Sequence, residues 1–153
     1  MLITKEITIE MGHSVTNHSS KCRGLHGHTY RIIATAYGDL ISEDGSSSEG
    51  MVIDFGQLKQ SMLDVIDANF DHGFVIWEKD PRVELLKQAN DLHCYQRERF
   101  HVVDFVPTAE NLAKYWFLRL RDNLFKYHVQ LKRLEVFETP TSSAIYEDVI
   151  VFS

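Results

Sequence analysis

Between Leu2 and Ile9 the chain alternates: Ile3, Ile7 and Ile9 share one parity, while Thr4, Glu6 and Thr8 share the other. A period of two fits a strand with one buried face and little else. Such a strand needs a neighbour to pair with and a layer to cover it. A second β-rich run, His28 to Tyr37, supplies the neighbour. The cover comes from two segments with helical periodicity. Asp54 is a plausible N-cap, and Leu58, Met62, Val65 and Ile66 recur at helical spacing behind it, which predicts a helix to about Asn69. Thr108 follows Pro107 as a second cap, with Glu110 in the first turn and an apolar stripe of Leu112, Ala113, Trp116, Phe117, Leu120 and Leu124. Strands are predicted again over Gln130 to Glu138 and Ile145 to Phe152, joined by a turn at 139–143. Between the helices, Pro81 to Asn90 reads as a short helix and Phe100 to Val106 as a strand, and 42–50 is a polar loop. The order implies a single α+β domain over 1–153, an antiparallel sheet covered on one face, with an insertion at about 79–104. The small sheet leaves open edges, so a homo-oligomer is expected.

Composition narrows the function. Sixteen Lys and Arg against 22 Asp and Glu give a net charge of −6 with no basic run, which argues against nucleic acid held by its phosphates. No apolar stretch is long enough to span a bilayer, and the N-terminus lacks a signal peptide's apolar block. Cys22 and Cys94 are too few for a disulfide framework, so a reducing cytoplasm is the expected compartment. The unusual feature is eight histidines, four of them between His13 and His28.

His26-Gly27-His28 opens the second strand, where residues two apart point to the same side, so both imidazoles can converge on one ion. His13 ends the first strand, and an antiparallel return brings it alongside; His18 competes for the third place, and spacing does not choose. Three imidazoles with one open position is the arrangement of a catalytic zinc. Gly27 is expected to leave room beside the metal. Cys22, four residues before His26, is either a fourth ligand or, as thiolate, a base. Asp71-His72 is a carboxylate beside a titratable imidazole, suited to acid–base work.

Taken in order, His13, Cys22-Arg-Gly-Leu-His26-Gly-His28, Gly50-Met-Val-Ile-Asp-Phe55, Asp71-His72, Pro107-Thr-Ala-Glu-Asn111 and Glu138-Thr139 resemble the 6-pyruvoyltetrahydropterin synthase family across almost the whole chain. Three residues between the cysteine and the His-Gly-His are similar to the 6-carboxytetrahydropterin synthases of queuosine (7-deazaguanine) biosynthesis. Leu25 stands where the side-chain-cleaving folate branch carries a glutamate. The resemblance implies a T-fold, or tunnelling fold: a four-stranded antiparallel sheet with two helices on one face. In this family such sheets join into trimeric barrels that stack into larger assemblies such as hexamers, with active sites at subunit interfaces. It implies a zinc-dependent lyase in which His13, His26 and His28 hold Zn2+, Cys22 abstracts a proton, and Asp71 and His72 are its acid–base partners. Glu138 would anchor the pterin, with Thr108 and Glu110 near the pocket. The substrate so implied is 7,8-dihydroneopterin triphosphate, and the products are 6-carboxytetrahydropterin, acetaldehyde and triphosphate. Two rivals stand beside this reading: the pyruvoyl-forming reaction, without carbon–carbon cleavage, and a non-catalytic zinc-stabilised pterin-binding module. The chain departs from the family at Ile9-Glu-Met-Gly-His13, where Phe-x-Ala-Ala-His is usual, and in the long 79–104 segment.

Overall fold

The structure, a computed structural model, describes residues 1–92 and 99–148. Strand β1 (Leu2–His13) runs antiparallel to β2 (His26–Tyr37) along its full length, and both extend beyond the alternating runs that announced them. The next strands are β3 (Gly73–Trp77), β4 (Phe100–Val103), β5 (Gln130–Thr139) and β6 (Ser142–Glu147). The sheet order is β4-β3-β1-β2-β5-β6. The four expected antiparallel strands are thus present as β1-β2-β5-β6. The sheet goes further than they do: β3 joins β1 in parallel and β4 joins β3 in parallel, giving six strands in a mixed sheet. No strand was expected at Gly73–Trp77. Its pairing with β1 spans only Met11 to His13, and its apolar run does not alternate. The last strand starts three residues before the predicted Ile145; the expected residues 149–152 lie outside the described residues.

One face of the sheet is dry. Ile7, Ile9 and Met11 of β1, Tyr30, Ile32 and Ala34 of β2, and Leu134 and Val136 of β5 all point to it. Helix α1 (Phe55–Met62) starts at Asp54, whose carboxylate accepts from Gly56 N–H. It continues through a π-helical turn (Leu63–Asp67) into the short α2 (Ala68–Phe70). The Asn69 amide donates to the carbonyls of Asp64 and Val65 within that widened turn. Helix α3 (Val83–Leu92) lies in the insertion, close to the predicted short helix. Helix α4 (Ala109–Leu124) is capped by Thr108, whose hydroxyl accepts from Asn111 N–H. All six residues of its predicted stripe are buried. α1 and α4 share one core with the sheet's dry face, as the two-helix layer requires. Among the described residues no helix is long and apolar enough to cross a membrane.

The insertion is tied to the rest of the fold by a charge. The Asp80 carboxylate is fully buried and accepts from Thr16 Oγ1 at 2.7 Å and from Arg82 at three donors, N, Nε and Nη2. The Arg82 bonds outweigh burial and hold the Asp80 carboxyl down at about 2. A carboxyl lower in the folded than in the unfolded state adds stability that is complete above its ordinary value of 3.8 and lost as pH falls towards 2. Between about pH 4 and pH 2 the native chain should therefore lose on the order of 2 kcal/mol that an Asp80→Asn variant does not lose. Denaturant unfolding across that range measures the difference in slope.

Candidate metal centre and acid–base groups

The register of β1 on β2 pairs His13 with His26 and Met11 with His28. Strand alternation then puts all three imidazoles on the dry side of the sheet, at the end of the core. Glu138 reaches the same place from the end of β5. One donor atom from each of His13, His26, His28 and Glu138 lies within 4.8 Å of all the others. His18 is not among them. It sits beyond the strand in a turn, where its Nδ1 accepts from Ser20 N–H at 3.0 Å, so the third imidazole is His13. Gly27 does not leave room beside the metal as expected. It faces the other side of the sheet, and a Cβ there would meet the Met11 carbonyl oxygen at 3.0 Å, so glycine serves the close approach of β1.

The hydrogen bonds around the imidazoles set their tautomers. His13 Nδ1 lies 2.7 Å from the Pro107 carbonyl oxygen and His26 Nδ1 lies 2.9 Å from that of Gly24. A carbonyl only accepts, so each Nδ1 carries the proton and each neutral Nε2 is left with a bare lone pair. Those two Nε2 atoms are 3.1 Å apart. Two lone pairs at that distance repel unless a cation lies between them. His28 Nε2 points the same way and lies buried 3.0 Å from Glu138 Oε1. Burial, reinforced by the neighbouring imidazoles, pulls His13 down to about 4 against the opposing Pro107 bond. Burial also lowers His28, with Glu138 opposing. Imidazoles aimed inward, two of them disfavoured as cations by burial, and joined by one carboxylate suit a divalent metal ion.

The acid–base candidates lie outside this cluster. Cys22 is a free, half-buried thiol on a one-turn helix (Lys21–Arg23) that links the two histidine-bearing strands. Its carbonyl accepts from Val15 N–H at 2.9 Å, and its sulfur is not one of the clustered donors. Asp71 and His72 end the helix before β3. Their turn is locked to β1 in both directions: Glu10 N–H donates to Asp71 Oδ1 at 2.9 Å, and His72 N–H donates to the Glu10 carbonyl at 2.6 Å. His72 adopts a left-handed φ of 56° there and places Nδ1 2.7 Å from Asp71 Oδ2. Burial alone would raise the Asp71 carboxyl, but the Glu10 N–H, His72 and Arg99 hold it below the usual carboxylate range. The His72 side chain is 72% exposed and has no hydrogen bond to Cys22 within the chain.

Of the remaining expected residues, Thr108 is occupied as the α4 cap and Glu110 is exposed on its first turn. It is the preceding residue, Pro107, whose carbonyl reaches the cluster. Glu138 lies against His28 and His13 on one side and lines a cavity of about 540 Å³ on the other, shared with His28, Arg31 and Phe137. A cavity of that size accommodates a small molecule. Sequence reasoning passed over the orienting carbonyls of Pro107 and Gly24, which no side-chain pattern reveals. It also passed over Asp80 and Arg82, of which only the Asp-Pro helix start was a signal. Cys94 and His93 lie outside the described residues.

Comparison with known proteins agrees with this arrangement. The family model described as 6-pyruvoyl tetrahydropterin synthase matches residues 2–149. A 6-carboxy-5,6,7,8-tetrahydropterin synthase of Haemophilus influenzae is 33% identical over 95% of this chain and 98% of its own. One from Aquifex aeolicus is 30% identical over 95% and 97%. Among solved structures, an uncharacterized protein of Wolinella succinogenes superposes with a TM-score of 0.77 at 26% identity, covering 97% of this chain and 98% of the other. The 6-pyruvoyl tetrahydropterin synthase of Caenorhabditis elegans gives 0.67 at 23% identity, over 97% and 96%, and shares the fold.

Metal-free chain titrated with a divalent ion should saturate near one equivalent and gain thermal stability. Replacing His13, His26 or His28 by alanine should abolish both effects, read by calorimetry and melting temperature.

Proposed function

The chain belongs to the 6-pyruvoyl tetrahydropterin synthase family, and on that footing we propose that it works as a zinc-dependent 6-carboxy-5,6,7,8-tetrahydropterin synthase. It would act as a lyase converting 7,8-dihydroneopterin triphosphate and water to 6-carboxytetrahydropterin, acetaldehyde and triphosphate, a step towards 7-deazaguanines such as queuosine. The observation that carries the proposal is the convergence of three imidazoles and one carboxylate, two of the imidazoles with tautomers fixed by backbone carbonyls so that Nε2 presents its lone pair. The names of the bacterial relatives, matched over nearly their whole length, support the product, and the substrate is the one the family resemblance implies.

His13, His26 and His28 would hold the metal, and imidazole donors suit zinc. Zinc bound there supplies Lewis acidity to a side-chain oxygen of the substrate. The remaining steps belong to the protein. Cys22 as thiolate removes a proton from the side-chain carbon next to the ring. His72, oriented by Asp71 at 2.7 Å, moves the second proton. Glu138 accepts two parallel hydrogen bonds from the pterin's ring N–H and exocyclic amine, fixing its orientation. Its place between the cluster and the cavity supports that role. Thr108 and Glu110 would approach the pterin from the start of α4, next to Pro107, whose carbonyl holds His13.

Cys22 and the exposed His72 have no hydrogen bond to one another within one chain. The outer strands of the sheet, β4 and β6, leave open edges that would pair in a trimer-based homo-oligomer, extending to a hexamer, in which neighbouring chains complete each site. A reducing cytoplasm would keep Cys22 a thiol.

Incubation with 7,8-dihydroneopterin triphosphate and mass analysis should return acetaldehyde and the carboxypterin; a pyruvoylpterin product would instead select the pyruvoyl-forming reaction. Cys22→Ala should keep close to one zinc per chain and lose activity by about 100-fold or more. Loss of the zinc would make the thiol a ligand. Glu138→Gln should keep the zinc and raise KM by about tenfold or more, since it deletes one acceptor of a bidentate pair.

A further inference from the structure

We propose that Arg82 is a positioning residue, which, gripped by Asp80, holds the Cys22 turn in its place beside the metal ligands. The inference rests on the reading of Cys22 as the base.

The grip on Arg82 is over-determined. Its Nε and Nη2 bind the two oxygens of the buried Asp80 carboxylate at 2.9 and 2.6 Å, and its own backbone N–H binds Asp80 Oδ1 at 2.8 Å. Thr16 fixes the second oxygen at 2.7 Å. The guanidinium therefore has one orientation, and its free donors leave in one direction. Nη1 donates to the Arg23 carbonyl at 3.1 Å and Nη2 to Ser14 Oγ at 2.6 Å. Ser14 Oγ in turn donates to the same Arg23 carbonyl at 2.9 Å.

The contact falls where it matters for the site. Ser14 follows the ligand His13, and Arg23 follows Cys22. Three consecutive carbonyls are held here, each by different partners. That of Cys22 accepts from Val15 N–H, that of Arg23 from Ser14 and Arg82, and that of Gly24 from His26 Nδ1. Val15, Ser14 and His26 all belong to the strands and loop around the turn. Arg82 alone comes from elsewhere, 59 residues along the chain from Arg23. A planar fork binds a carboxylate on one edge and a carbonyl and hydroxyl on the other, which a lysine ammonium cannot reproduce. The insertion that opens after β3 thus carries a brace for the turn that bears the base.

The test uses the zinc-loaded full chain with Arg82→Gln and Arg82→Lys, and Arg121→Gln as a control that loses an exposed arginine elsewhere. Three quantities are read: kcat and KM with 7,8-dihydroneopterin triphosphate, zinc per chain, and the rate of iodoacetamide alkylation at Cys22, resolved from Cys94 by peptide mass. In both Arg82 variants kcat per bound zinc should fall about 10- to 100-fold while KM stays within about threefold, because a displaced base costs chemistry and leaves binding intact. Alkylation at Cys22 should change by about fivefold or more, since its surroundings set thiol reactivity, while the control matches the native chain. Unchanged kcat and unchanged Cys22 alkylation would overturn the proposal. So would a loss of activity that merely follows the loss of folded, zinc-loaded protein, or failure of both variants to fold. Full activity of Cys22→Ala would refute the base role alone, and the alkylation rates would still decide whether Arg82 holds the turn.

Discussion

Everything at the candidate metal centre depends on the register of β1 against β2. Ile7 faces Ile32, Ile9 faces Tyr30, Met11 faces His28 and His13 faces His26, so the ladder that buries the core also delivers the imidazoles. A slip of one residue would turn every one of these side chains to the opposite face. The apolar pairs forbid that slip, because it would expose Ile9, Tyr30 and Ile32, all now essentially without contact to water. The site therefore needs no separate device to choose its face of the sheet. The two glycines between the histidine pairs, Gly12 and Gly27, lie opposite one another, where side chains would collide with Phe74 or with the neighbouring backbone.

That dependence explains what was legible in the sequence. Alternation located β1 and β2, caps and apolar stripes located α1 and α4, and parity alone predicted that His26 and His28 share a side. The choice between His13 and His18 was not legible, because it turns on how far β1 continues, and the residues after Ile9 carry little alternation. The strand Gly73–Trp77 escaped because it is short, buried without alternating and paired in parallel to only three residues of β1. Glu138 was legible as a functional residue only through the family resemblance; its place against His28 comes from β5 crossing the sheet beside β2. The bond between Arg82 and Arg23 is set by tertiary folding and leaves no local trace.

The electrostatics of the centre follow from its position at the end of the core. Burial removes the proton from His13 more effectively than any neighbouring charge does. Tyr30 closes the cluster from below, its ring edge-on to His13 and His28, and burial pushes its hydroxyl up so that it stays a neutral wall. The result is a cluster of three imidazoles with a single carboxylate, inside a chain whose net charge is −6. Such a field favours a cation. A triphosphate brought to this surface would need local positive charge, and a metal ion held by the cluster would be one source of it.

Orientation of the ligands rests on backbone atoms, and this couples the site to distant parts of the fold. The Pro107 carbonyl that fixes His13 belongs to the residue just before the Thr108 cap, so the docking of α4 on the core sets one imidazole. The Gly24 carbonyl that fixes His26 belongs to the connection between β1 and β2, so that turn sets another. Both ligands are then aimed by groups that cannot change their protonation and cannot rotate independently of the chain. A side-chain acceptor would aim an imidazole equally well, but it would add a charge and a rotamer to a centre that works by having few of either. The packing of α4 thus aims one of the clustered imidazoles without contributing a donor atom to the cluster.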